Sequence, residues 1–205
     1  MSARASFRHP ELHDLRQPDL VLPQDVLDRF LARAQAIHAS GLKSYGLFVA
    51  DPYAPGYPFT ASDVIFFDPA KNRRNDPQMR PAFEAQGSYF KSYDDAGFVA
   101  DSGELLQVHR QLESRGLEAV AMFHSHRRQP ANFSHIDYRL HNPAYPWHLI
   151  VAMREPERPI LRAFEVRKGE GDFGIDPSDG NENSERDYTG PEVRPLRIAI
   201  ASRAA

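Results

Sequence analysis

A series of apolar residues, Leu117, Ala119, Val120, Ala121, Met122 and Phe123, leads straight into His124-Ser125-His126. This segment reads as a buried strand and constrains the chain more than any other. In a strand residues i and i+2 share a face, so both imidazoles point the same way. Ten residues separate His126 from Asp137, room for a loop and the first turn of a helix that returns a carboxylate to the pair. Two imidazoles and one carboxylate make a three-donor zinc set whose fourth position is open to water, the pattern of catalytic rather than structural zinc. The chain has no cysteine, which argues against a closed thiolate site. The other reading is a pair of ordinary surface or core histidines; the placement of Ser134 and Asp137 weighs toward metal.

Helical and extended patterns alternate around this segment. Val26, Leu27, Phe30, Leu31, Ala34 and Ile37 recur at helical spacing, with Pro23 at the start and Gly41 closing, which predicts a helix from 23 to about 39. Strands are expected at 45–50 and 63–67, and extended chain at 97–100. A helix over 104–114 follows, with Ser102 as its cap and Gly116 as its stop. Residues 147–153 and 159–166 read as further core strands. This mixed order predicts an α/β sandwich around a mixed sheet. Residues 1–19 read as an irregular arm and 20–168 as the folded domain. Residues 169–205 read as a flexible linker, rich in Gly, Asp, Glu, Asn and Ser up to Pro191, and a short strand after Pro195.

Residues 68–100 form a long connection that mixes Arg73 and Arg74 with Phe83, Tyr89, Phe90, Tyr93 and Phe98. Two readings stand side by side: a wall or lid over the metal, or a surface insertion that packs its own aromatics. As a wall, it would use Phe83 and Tyr89 to contact substrate. Arg127 and Arg128 flank the histidines and would either bind a carboxylate or form a solvated basic turn. His148, beside Trp147 at the start of a strand, reads as a satisfied buried histidine. His141, one turn beyond Asp137, is placed to support the donors from behind.

Taken together, His124-Ser125-His126, Ser134 and Asp137 reproduce the His-Ser-His, ten-residue spacer, Asp pattern of the JAMM (MPN-domain, JAB-type) metalloproteases. The order of elements resembles that family over roughly residues 20–168. The resemblance implies an MPN-like mixed β-sheet flanked by helices, a cytidine-deaminase-like α/β sandwich, with Zn2+ held by His124, His126 and Asp137. It also implies that Ser134 donates a hydrogen bond to the oxyanion of a tetrahedral intermediate; from the residues alone, Ser134 equally caps the helix carrying Asp137. Two positions depart from the pattern. The family's catalytic glutamate stands three residues before a strand glycine, here Gly46, and that position holds Lys43. The proline after the second histidine is Arg127. Losing the glutamate removes general acid–base catalysis worth roughly 10²–10⁴-fold while leaving metal activation intact. Lys43 serves as a base only if burial and a neighbouring dication depress its pKa strongly. Otherwise it turns to solvent, and an acid from the insertion, such as Glu84, replaces it.

Three functions are therefore expected to compete. The first is a zinc hydrolase cutting an amide or isopeptide bond, for which the resemblance implies a ubiquitin-like sulfur-carrier protein as partner. The second is an atypical metallohydrolase with a replacement base, acting on a small amide substrate. The third is a metal-binding pseudoenzyme used as a protein-interaction module, which the survival of every donor weighs against. A net charge of −3 and a pI near 6.3 argue against nucleic acid. No apolar run approaches the roughly 20 residues of a membrane span. The first 18 residues carry no apolar signal core, so a cytoplasmic location is expected. Nothing in the sequence sets an oligomeric state.

Overall fold

The computed structural model describes residues 19–169, 174–175 and 184–202. All but the last residue of the arm expected over 1–19, most of 170–183, and 203–205 lie outside the described residues. In chain order the elements are β1 (Leu20–Pro23), α1 (Gln24–Ala39), β2 (Tyr45–Ala50), β3 (Asp63–Phe66), α2 (Arg80–Glu84), α3 (Ser88–Ser92) and α4 (Ser102–Arg115). Then come β4 (Glu118–His126), α5 (His135–Leu140), β5 (Trp147–Ala152), β6 (Ile160–Val166), β7 (Val193–Leu196) and β8 (Ile198–Ala201). Six strands form one sheet in the order β3-β2-β4-β5-β6-β7. Its neighbours are antiparallel except β4 and β5, which run parallel. A parallel pair needs a crossover. Here the crossover contains α5, so the carboxylate it carries returns to the end of the histidine strand.

Alternation along β2 separates two apolar layers. Phe48 and Ala50 join Val26, Phe30 and Ala34 of α1, together with Phe123 and Trp147. Tyr45, Leu47 and Val49 join Val108 and Leu112 of α4 on the other face. The architecture is thus a mixed sheet flanked by helices. β5 is buried along its whole length, which is why it reads as a continuous apolar run rather than an alternating one.

Four details add to or differ from the sequence reading. The cap of α4 is Asp101, whose side chain accepts from the Glu104 amide at 3.0 Å; a carboxylate there also complements the positive end of the helix. Residues 97–100, expected as extended chain, lie outside the strands of the sheet and bond to the insertion. Val99 accepts from the Arg73 amide at 2.9 Å and its own amide donates to Asn72 Oδ1 at 2.9 Å. A strand not assigned from the sequence, β1, stands just before α1 and pairs in parallel with β8. The C-terminal stretch is not simply a linker with one strand. From residue 184 it packs against the domain, β7 extends the sheet beside β6, and Pro195 is tolerated because β7 is an edge strand.

Gly46 lies where β2 pairs with β3, opposite Phe66. A Cβ there would meet the Ile65 carbonyl oxygen at 2.0 Å and the Phe123 ring at 2.8 Å. Gly46→Ala should therefore destabilise the fold by at least the roughly 1–3 kcal/mol of ordinary overpacking. Thermal denaturation checks this, and an unchanged Tm would refute the close approach.

Candidate metal centre

His124 and His126 project from the last turn of pleat in β4, and both are almost fully buried, as is Asp137 on α5. One donor atom from each lies within 4.8 Å of the other two. His124 Nε2 stands 2.9 Å from His126 Nε2 and 3.2 Å from Asp137 Oδ1. The protons on these rings are fixed from behind. His126 Nδ1 faces the Pro130 carbonyl at 2.6 Å; a carbonyl only accepts, so Nδ1 carries the proton and Nε2 keeps its lone pair.

For His124 the same logic runs through a relay. His141 Nε2 faces the Tyr145 carbonyl at 2.8 Å and must donate, which leaves His141 Nδ1 as an acceptor. His148 Nδ1, 3.1 Å away, donates to it, so His148 Nε2 accepts from His124 Nδ1 at 2.8 Å. His124 Nε2 is then left with a lone pair. Burial disfavours charge on the rings behind the donors and on His126: it pushes His141 down to about 4, His148 well below its ordinary range, and the His126 imidazole to about 3. Two nitrogen lone pairs and a carboxylate oxygen thus converge on one point. A proton can bridge two of them, but only a cation satisfies all three. The two spacings from His124 Nε2, 2.9 and 3.2 Å, are near the ~3.3 Å between tetrahedral ligands that sit about 2.0–2.1 Å from zinc.

Asp137 is held by its own helix end. Ser134 donates to Asp137 Oδ2 from its hydroxyl at 2.6 Å and from its amide at 2.8 Å, and its Oγ accepts from the Asp137 amide at 3.4 Å, which completes a capping box. That leaves Oδ1 for the centre. Ser134 has one hydroxyl hydrogen, and Asp137 takes it. The capping role is therefore seen directly; donation to an oxyanion would require the hydroxyl to let go of Asp137.

Residues 62–166, just over half of the chain, match the family described as prokaryotic homologs of the JAB domain. This chain belongs to that family. The matched region contains the two histidines, Ser134 and Asp137, and begins after Lys43. Curated relatives of this JAB-domain chain include the CysO-cysteine peptidases of Mycobacterium tuberculosis (strain ATCC 25618 / H37Rv) and Mycobacterium bovis (strain ATCC BAA-935 / AF2122/97). Both are 33% identical over 69 residues, 34% of this chain and 47% of theirs. The chain spans about half the length of the curated relatives it matches. Among solved structures, protein DSY2949 from Desulfitobacterium hafniense shares the fold at 20% identity and a TM-score of 0.56, covering 90% of this chain and 94% of that one.

Above the three donors lies a cavity of about 20 Å³, against the roughly 10–15 Å³ that one water needs on the same measure. Lys43, Tyr89, Phe90, Phe98, Ser134 and Glu185 are among its lining residues. The insertion thus forms a wall of the site through Tyr89 and Phe90. Phe83 does not reach it: it is fully buried among Phe90, Ala96 and Ile136, because Arg74 and Gly97 pack directly against its ring. Arg74 is also buried, donating to the carbonyls of Ala96 and Phe90, so it serves the insertion rather than a substrate. Arg127 and Arg128 both pair with Asp95, at 3.0 and 3.1 Å, and Glu84 pairs with Arg80; none of the three lines the cavity.

Burial lowers the Lys43 ammonium, while Asp137 and Asp95 pull it partly back. Glu185 was missed, because a lone acid in a polar, Gly- and Asn-rich stretch carries no sequence signal.

Removing a donor should empty the centre, and removing the relay should weaken it. His124→Ala and Asp137→Ala should bind no stoichiometric metal, whereas His148→Ala should keep one site with affinity down about 10–100-fold, as for other outer partners of metal ligands. Metal titration of the apo proteins tests both. Full occupancy in either donor variant would reject the assignment.

Proposed function

We propose that this JAB-domain chain is a zinc-dependent hydrolase of the JAMM type that cleaves an amide or isopeptide bond. The observation that carries the reading is the convergence of three lone-pair donors, with protons locked on their far sides, beneath a small cavity. Zinc, when bound, supplies a Lewis acid and brings the pKa of water to about 7. The chain's own residues do the rest. His148, His141 and Pro130 hold the imidazoles in one tautomer and orientation. Ser134 orients Asp137. Phe90 and Phe98 exclude bulk water from one side, which strengthens every charge interaction inside. Lys43 places a cationic side chain in the cavity, where it can stabilise negative charge developing on a carbonyl oxygen.

We assign the substrate to a small protein of the ubiquitin-like sulfur-carrier type bearing an amide-linked extension. The name of the mycobacterial relatives, which specifies a peptidase acting on CysO-cysteine, supports this class, and Tyr89, which lines the cavity, is assigned as a contact for the substrate's extended chain.

The zinc-loaded chain should release the terminal amino acid from a carrier-protein adduct, lose that activity to a chelator, and regain it with added zinc. Mass spectrometry of the adduct reads all three. An intact adduct after prolonged incubation with protein holding one zinc per chain would reject the proposed substrate class.

A further inference from the structure

The cavity contains a carboxylate that the three-donor set does not use. Oε2 of Glu185 is buried and has no hydrogen-bond partner, and Glu185 lines the cavity together with His124, His126, Asp137 and Lys43. A buried, unpaired carboxylate oxygen is costly and calls for an explanation. Glu185 is not held there loosely. The residues on either side of it are tied to the start of α5: Ile136 donates to the Ser184 carbonyl at 3.0 Å and His135 to the Arg186 carbonyl at 3.1 Å. Ser184 is fully buried and its hydroxyl donates to Gln86 Oε1 at 2.8 Å. Tyr188 donates to the Phe133 carbonyl at 2.8 Å and stacks on Tyr138 with ring centroids 4.3 Å apart. The tail is thereby strapped across the helix that carries Asp137, and Glu185 is the strap residue that faces the cavity.

We propose that Glu185 is the proton-transfer carboxylate of this site, supplied from the C-terminal segment in place of the family glutamate whose position holds Lys43. The proposal rests on the hydrolase reading above. Glu185 stands outside the cluster of His124, His126 and Asp137, whose donor atoms gather within 4.8 Å, so it is assigned as a base rather than a fourth ligand. In the step, the Glu185 carboxylate takes a proton from water as the water oxygen bonds to the amide carbon. The carbon–nitrogen bond then breaks, and Glu185 passes the proton to the leaving nitrogen. Amide and water become acid and amine, and Glu185 ends ionised as it began. Lys43, an ammonium without an acceptor when charged, cannot take that first proton.

The test uses the full chain as wild type, Glu185→Gln, and Glu185→Gln combined with Lys43→Glu, each checked for an unchanged Tm. Zinc titration of the apo forms comes first. Glu185→Gln should still bind one zinc, with affinity reduced about 10-fold or more, as for other groups acting on a metal from outside its ligand shell. Unchanged affinity means that the carboxylate does not face the centre, and loss of stoichiometric binding means that it is a ligand; either overturns the proposal whatever the wild type does to an adduct. Cleavage of the carrier adduct follows. Glu185→Gln should lower kcat by roughly 10²–10⁴-fold, and adding Lys43→Glu should restore at least a tenth of the loss on a logarithmic scale. A Glu185→Gln protein that cuts as fast as wild type places the base elsewhere. A silent zinc-loaded wild type instead removes the substrate reading, while the zinc titration still decides the position of Glu185.

Discussion

Two backbone carbonyls, those of Pro130 and Tyr145, determine what this site can be. Each accepts a hydrogen bond from an imidazole, and each therefore dictates where a proton must sit. From Pro130 the consequence reaches His126 directly; from Tyr145 it passes through His141 and His148 to His124. Both histidines of β4 are left presenting bare Nε2 atoms to the same point as Asp137. Neutral imidazoles buried in an apolar sheet are stable only when each N–H finds an acceptor. The relay meets that requirement and prepares the donors for a cation at the same time.

The third donor depends on a helix that could not stand alone. α5 has six residues, far below the length at which a helix persists in water. Its first amides are satisfied from outside: His135 and Ile136 donate to the C-terminal strap, and Asp137 lies within reach of the Ser134 hydroxyl. At the other end Lys168 donates to the carbonyls of Tyr138, Arg139 and His141, where a cation is favoured. The insertion packs on its apolar side through Phe83, Phe90 and Ile136. Insertion, helix and tail are therefore one unit, and the position of Asp137 is a property of all three.

The sequence disclosed what local rules govern. The i, i+2 spacing of His124 and His126 fixed a common face, the apolar runs located β2, β4, β5 and β6, and Ser134 three residues before Asp137 marked a helix start. It was silent where distant partners decide. Leu20–Pro23 carried no strand signal of its own because its strand partner, Ile198–Ala201, lies at the far end of the chain. Phe83 and Phe90 are both insertion aromatics, and only the packing of Arg74 and Gly97 against Phe83 assigns one to the interior and the other to the cavity. Glu185 sits in a stretch whose composition signals solvent. Its position comes from backbone bonds to α5 that composition does not encode.

The metal centre rests on a set of proton positions, and nitrogen-15 NMR of the histidine rings reads them directly. Long-range proton–nitrogen correlation spectra of the zinc-loaded protein should show His124, His126 and His148 protonated at Nδ1 and His141 at Nε2. Mutation of each histidine in turn assigns the signals. That pattern would establish that the two carbonyls set the donors. A proton on Nε2 of His124 or His126 would contradict the account, because the lone pair required by the centre would then be absent.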